Sequence, residues 1–202
     1  EETCQRLGLT IEAAIRFGDA SRWIDRSVVV SLADFDFGRA VSPFLPCAFA
    51  PARRRELTAE GELRGLRRSN GLIDPTAILA RSTRVSPLAY INAAAVIGAS
   101  TLIRTGVFVN RAASIGHHCI IGSFTSIGPG ATLASNVTVG DDAIIGAGAT
   151  ICPDVKIGTG AVISAGATVT RNVPDGALVA APAARILPDA ARRTSLRQRT
   201  DE

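Results

Sequence analysis

The chain is poor in the side chains that usually fill a compact core. It holds one Trp, one Tyr and no Met; aromatic rings are 4 % of its 202 residues, against 47 % hydrophobic residues overall. A core of that make-up is built from Ile, Val, Leu and Ala. No uninterrupted apolar run approaches eighteen residues, so no membrane-spanning helix and no membrane partner are predicted. No secretory signal pattern is present either. Cys4, Cys47, Cys119 and Cys152 form neither a CxxC nor a disulfide framework, which fits reduced thiols and a cytoplasmic location. The net charge of +4 is weak, and no basic stripe is interleaved with aromatics, so nucleic acid is not an expected partner. Histidine is scarce: His117 and His118 are the whole supply, and they are adjacent. That leaves too few separated ligands for an open three-histidine zinc site, and no metal is expected.

What the chain has instead is a period of six. Ile73, Leu79, Val85, Ile91, Ile97 and every sixth position onward to Val169 are aliphatic, without an exception. Four residues after each comes a second register, from Ala77 and Thr83 to Ala167 and Val173, whose members are all small or β-branched. Six suits neither a 3.6-residue helix nor a plain alternating strand. It is the signature of a hexapeptide parallel β-helix. Taking the aliphatic residue as i, Pro75, Pro87, Pro129 and Pro153 share i+2, where a corner needs no ladder donor. Glycines 98, 116, 122, 128, 140, 146 and 158 share i+1, where corner geometry or a close backbone approach favours a missing Cβ. Three hexads per triangular turn give about five and a half turns and a prism roughly 27 Å tall.

Residues 1–70 read as a small α/β domain with a parallel sheet. The first nine residues look helical, Thr10–Phe17 alternates like a strand, and Ser27–Leu32 and Phe44–Ala50 are short apolar runs, the second disfavoured as a strand by Pro46. A polar helix is expected over Ala52–Arg68; its Arg53-Arg54-Arg55 run is read as a solvated face sooner than as a phosphate grip. A βαβ domain opens with a strand and a glycine-rich turn; neither is seen here, so the Rossmann-like domain is expected to be truncated at its start. The prism with its cap spans 71–187, with Ala177–Leu187 as a capping strand, and 188–202 is a polar tail.

The chemistry-bearing candidates lie at corners. His117 is at i+2 and should project from the prism, with Ser135 one turn above it. A second corner column runs Pro129, Ala147, Ala165, whose small side chains leave backbone amides open to an extended ligand. From spacing alone, a ligand groove and a merely well-fitting coil are equally good readings.

The hexad array, the segment from Asn110 through Gly116-His117-His118-Cys119 to Phe124, and the ending Val173-Pro174-Asp175-Gly176 to Ala183 resemble the left-handed β-helix acyltransferases. Within them the chain resembles the branch that N-acetylates nucleotide-linked amino sugars or O-acetylates sialic acid. The resemblance implies a mainly β, left-handed parallel β-helix preceded by a nucleotide-sugar-binding domain at 1–70. It also implies a homotrimer, acetyl-CoA as co-substrate, a nucleotide sugar as partner, and a place in surface-polysaccharide biosynthesis. On that resemblance His117 is the general base, His118 modulates it, and Asn110 meets the acceptor. Ser126, Ser135, Ala147, Ala165, Arg171 and Arg185 are then assigned to the cofactor. The chain departs from the family pattern at Gly116 and His118, which hold places where a carboxylate often stands, and at Ser126, where a second histidine is usual. Ala181 likewise falls where the family commonly has a glycine-led pair. A non-catalytic hexapeptide scaffold of the same fold is the alternative, and a trimeric metal-dependent hydratase lacks the histidines it would need.

Overall fold

The computed structural model describes residues 1–16 and 26–182. From Leu72 onward the chain winds through two-residue strands that stack into three parallel sheets, of seven, six and five strands. The first face runs from Leu72–Ile73 to Leu178–Val179, the second from Ile78–Leu79 to Thr168–Val169, and the third from Arg84–Val85 to Lys156–Ile157. Up to the last turn each strand pairs with the one eighteen residues on, as in Ser114 with Thr132 and Ile115 with Leu133. Three hexads therefore close one turn, as the period requires.

Both registers point inward. From Ile91 to Val169 each aliphatic position is at most 4 % exposed, and Ala89 to Ala161 of the second register are 0–3 % exposed. Ile73, Leu79 and Val85, at the open lower end, are partly buried against the same core. Inward hydroxyls and the inward thiol are satisfied by the next turn: Thr101 Oγ1 donates to Gly116 O (2.8 Å), Thr125 Oγ1 to Gly140 O (2.6 Å), and Cys119 Sγ to Ala134 O (3.1 Å). This is why Thr and Cys can replace Ala and Val there without leaving a buried polar group unpaired.

The corners divide the work between two positions. A Cβ on Gly122, at i+1, would lie 2.4 Å from Gly140 C and 2.5 Å from Asp141 N, so this row is glycine-rich because neighbouring turns nearly touch. The left-handed backbone sits two residues further on, at i+3: Leu88, Ser100, His118, Asn136 and Asp154 have φ of 57–62°. Of the two causes weighed for the i+1 glycines, close approach is the one found.

The count breaks where Arg171-Asn172-Val173-Pro174 intervenes. Thr159 N donates to Asp175 Oδ1 sixteen residues on, and Val162 pairs with Leu178, so the last turn is two residues shorter. Of the expected capping strand Ala177–Leu187, Leu178–Val179 is strand and pairs onto the first face; residues beyond 182, including Arg185 and the polar tail, lie outside the described residues.

The N-terminal region is less regular than its sequence implies. α1 (Glu2–Arg6) is shorter than the nine residues expected and ends at Gly8, φ 65°. β1 (Ala14–Arg16) and β2 (Val29–Ser31) form a two-stranded parallel sheet. Phe44–Ala50 is no strand; Phe44 alone bridges to Arg68. α2 (Pro51–Leu63) stops five residues before Arg68, followed by Gly65 at φ 81°.

α2 docks on the first face through a charge, since its buried residues are Pro51, Arg54, Thr58 and Gly61. Arg54 is 1 % exposed. Its guanidinium donates to Gly106 O (2.6 Å), Ala48 O (2.5 Å), Phe49 O (2.9 Å), Thr125 O (3.2 Å), Ser126 Oγ (2.9 Å) and Phe124 O. Burial pushes its pKa down to about 10, still charged at neutral pH. Arg55 pairs with Asp142 (2.5 Å) and lies over the Phe124 ring, 4.2 Å from its centroid. The solvated-face reading of Arg53-Arg54-Arg55 is thereby corrected: two of the three fasten the helix to the prism.

At the lower end, Asp74 is fully buried and holds α1. Thr3 Oγ1 (2.6 Å) and Arg6 Nη1 (2.9 Å) donate to one carboxylate oxygen; Thr76 N (2.9 Å) and Oγ1 (2.6 Å) donate to the other. Burial alone would raise this carboxyl. The hydrogen bonds from Thr3, Thr76 and Arg6 outweigh it and hold Asp74 well below the usual carboxylate range.

Candidate active site on two prism edges

The triangular turn sorts the predicted residues by edge. His117, His118, Ser135 and Arg171 stand on the edge between the second and third faces, with His117, Ser135 and Arg171 in one i+2 column. Asn110, Ala147 and Ala165 stand on the edge between the first and second faces. One copy of the chain therefore places the imidazoles and the corner amides of Ala147 and Ala165 on different edges.

On the histidine edge both rings are exposed. His117 Nδ1 lies 2.9 Å from His118 Nδ1, with the rings nearly perpendicular at 89°. The backbone ties them into the coil: His118 N donates to Ala99 O (2.8 Å) and Asn136 N to His117 O (3.0 Å). Ser135 N, directly above His117, has no hydrogen-bond partner among the described residues. Burial pushes the Cys119 thiol up, which with its inward position marks it as packing and no nucleophile.

The other edge presents main chain. The N–H groups of Ala147 and Ala165 have no partner among the described residues, and Gly148 and Gly166 follow with φ of 63° and 68°. Corner amides are not always free: Asp141 Oδ1 takes Ser123 N (2.7 Å) and Asp175 Oδ1 takes Thr159 N (2.8 Å) on the third edge. Asn110 Oδ1 accepts from Arg111 N (2.8 Å) and from Asn92 Nδ2 one turn below (3.5 Å), which leaves Nδ2 without a partner among the described residues.

One assignment needs correcting. Ser126 is 0 % exposed, in the first face beneath α2, and its hydroxyl donates to Phe49 O (2.5 Å) while accepting from Arg54. It serves docking of the N-terminal region and is closed to a cofactor. Sequence reading also passed over a pair on the histidine edge. Asn136 Nδ2 donates to Asp154 Oδ1 (3.1 Å), and these lie one and two turns above His118. At about 4.8 Å per turn, Asp154 is some 10 Å from His118, beyond hydrogen-bond reach. Stepping eighteen residues from His118 would have found both.

Comparison with known proteins shows what the chain is similar to. Residues 136–171 match the bacterial transferase hexapeptide (six repeats) family. The acetyltransferase domain of PglB from Neisseria gonorrhoeae, solved in complex with acetyl coenzyme A, is 27 % identical; 92 % of this chain covers 91 % of that one, with a TM-score of 0.78. WeeI from Acinetobacter baumannii is 24 % identical over 91 % of this chain and 90 % of its own, TM-score 0.78. PerB from Caulobacter crescentus, solved with CoA and GDP-perosamine, is 24 % identical over 91 % and 88 %, TM-score 0.76. A comparison with curated proteins finds no match. The fold is the left-handed parallel β-helix that the resemblance implied, and the resemblance to acyltransferases of that fold stands.

Proposed function

We propose that this chain is an acetyltransferase that moves the acetyl group of acetyl-CoA to the amine of a nucleotide-linked amino sugar, or to a hydroxyl of a related sugar. The observation that carries the proposal is the division of the site between two edges, in a chain similar over nine-tenths of its length to an acetyl-CoA-bound acetyltransferase domain. In a closed ring of three copies, the histidine edge of one prism meets the amide edge of the next, and the contact is heterologous. The reaction site is then a cleft between subunits of a homotrimer.

In that cleft the pantetheine arm lies along the free N–H groups of Ala147 and Ala165. Ser135 N–H is aimed at the thioester oxygen, where it stabilises the developing oxyanion. His117 Nε2 takes the proton from the acceptor nitrogen or oxygen as the new bond to the acetyl carbon forms. The carbon–sulfur bond then breaks, and the thiolate leaves with a proton returned from His117. Asn110 Nδ2 binds the acceptor sugar. Arg171, on the edge of His117 and three turns above it, meets a CoA phosphate. Residues 1–70 are the nucleotide-sugar side of the site, working in the cytoplasm on a precursor of surface polysaccharide.

The test is thiol release from acetyl-CoA with a panel of nucleotide-linked amino sugars. His117→Ala should lower turnover by about 10²–10⁴-fold, the usual share of general acid–base catalysis. Acetyl-CoA binding should barely change, since the corner amides hold it. Wild-type turnover by His117→Ala on a confirmed acceptor would move the base elsewhere. An intact trimer that binds no acetyl-CoA at millimolar concentration would leave a scaffold.

A further inference from the structure

The mechanism above asks one thing of His117: a bare Nε2 facing the acceptor. An isolated imidazole does not guarantee it, because which nitrogen carries the hydrogen is set by the bond the other one makes. We propose that His118 is the positioning residue that fixes this. It accepts the Nδ1–H of His117 on its own Nδ1, holding His117 in the tautomer whose Nε2 is free. The inference rests on the acetyl-transfer reading for its catalytic consequence, and on geometry alone for the tautomer.

The Nδ1 atoms are 2.9 Å apart, which requires one to donate and the other to accept. With both rings neutral the pair therefore leaves one ring with a bare Nε2, and the question is which. The edge itself decides. The free amide of Ser135 stands in the i+2 row directly above His117. Above His118, in the i+3 row, stands Asn136, whose N–H is already spent on His117 O (3.0 Å). A carbonyl polarised by Ser135 N–H thus reacts over His117, which makes His117 the base and His118 its acceptor. His118 is firmly placed for the task, with its backbone N–H bonded to Ala99 O (2.8 Å) and its ring set nearly perpendicular to the base.

The proton count closes with a neutral partner. His117 Nε2 takes the proton the acceptor loses and becomes an imidazolium whose Nδ1–H still points at His118 Nδ1. His118 keeps its own hydrogen on Nε2 throughout. The proton on His117 Nε2 then passes to the departing thiolate, and both rings return to their starting state. A neutral imidazole here does the orienting that a carboxylate performs in a Ser–His–Asp arrangement, without adding a negative charge to the edge.

The backbone at His118 makes the test clean. Its φ of 58° is a region that Gly and Asn tolerate well, so both replacements suit the coil. Gly removes the acceptor; Asn restores one through its side-chain oxygen. In ¹⁵N-edited spectra of the full chain, taken where both rings are neutral, wild-type His117 should show hydrogen on Nδ1 and a bare Nε2. His118→Gly should shift His117 toward the Nε2–H form and lower kcat roughly 10–100-fold, the usual cost of losing such an orienting partner. KM for acetyl-CoA should stay put, and His118→Asn should recover most of both signals. A wild-type His117 with hydrogen on Nε2, or an unchanged tautomer in His118→Gly, overturns the proposal. Failure of every acceptor to be acetylated would count against the functional reading, while the spectra still decide the dyad.

Discussion

At the residue scale, the hexad makes two demands that look alike in sequence and differ in physics. The i+1 glycines avoid the main chain of the next turn, whereas the i+3 residues adopt left-handed φ, at Gly130, Gly148, Gly160 and Gly166 in open space. Gly122→Ala would push a Cβ to within 2.4 Å of Gly140 C. Because backbone cannot step aside cheaply, this change should cost about 2–3 kcal/mol and lower Tm. Gly130→Ala, at φ 64° with nothing within 4 Å of its Cβ, should cost only about 1 kcal/mol, the left-handed penalty. Thermal unfolding of the pair checks this; equal losses would mean the turns are not in contact as described. The same scale explains why both rows were hard to separate beforehand. Glycine occurs at i+1 and i+3 alike, and nine non-glycine residues accept the left-handed corner.

At the element scale, the prism strands were legible and the N-terminal strands and helices only partly. Seventeen aliphatic hexad positions place eighteen-residue turns with no further information, because burial repeats at a period nothing else produces. The imidazole pair and the two open-amide corners could likewise be placed by counting. Arg54 could not: in sequence it is one member of a basic run on a polar helix, and its six acceptors come from segments up to 72 residues away. The same holds for Ser126, whose burial depends on α2 lying over it. The attachment of α1 is a comparable case, resting on one buried carboxylate. Asp74 has its pKa lowered in the folded chain, so its stabilisation is fully present above the ordinary carboxylate pKa near 4 and is lost as pH falls through the lowered value. The stability gap between wild type and Asp74→Asn should therefore be constant from pH 8 to about 5 and shrink below about pH 4. Thermal unfolding across that range measures it, and a gap that widens on acidification would contradict the assignment.

At the scale of the whole molecule, function follows from a prism whose three edges differ. One carries the histidines, one carries the open amides of Ala147 and Ala165, and on the third Asp142 is held by Arg55 from the N-terminal region. Two unlike edges on a rigid triangular rod are suited to a closed ring of three, in which every contact is the same and every cleft is complete. No helix among the described residues is long and apolar enough to cross a membrane.

The shared cleft is the central claim, and mixing two damaged chains tests it most directly. His117→Ala spoils the histidine edge and leaves the amide edge whole. Ala147→Trp blocks the amide edge and leaves the histidines whole. Each alone should form trimers and release little thiol from acetyl-CoA. Co-expressed, they should regain about a quarter of wild-type activity, because random assembly pairs two intact edges in one cleft of four. Mixed trimers that remain as inactive as their parents would contradict a site built between subunits.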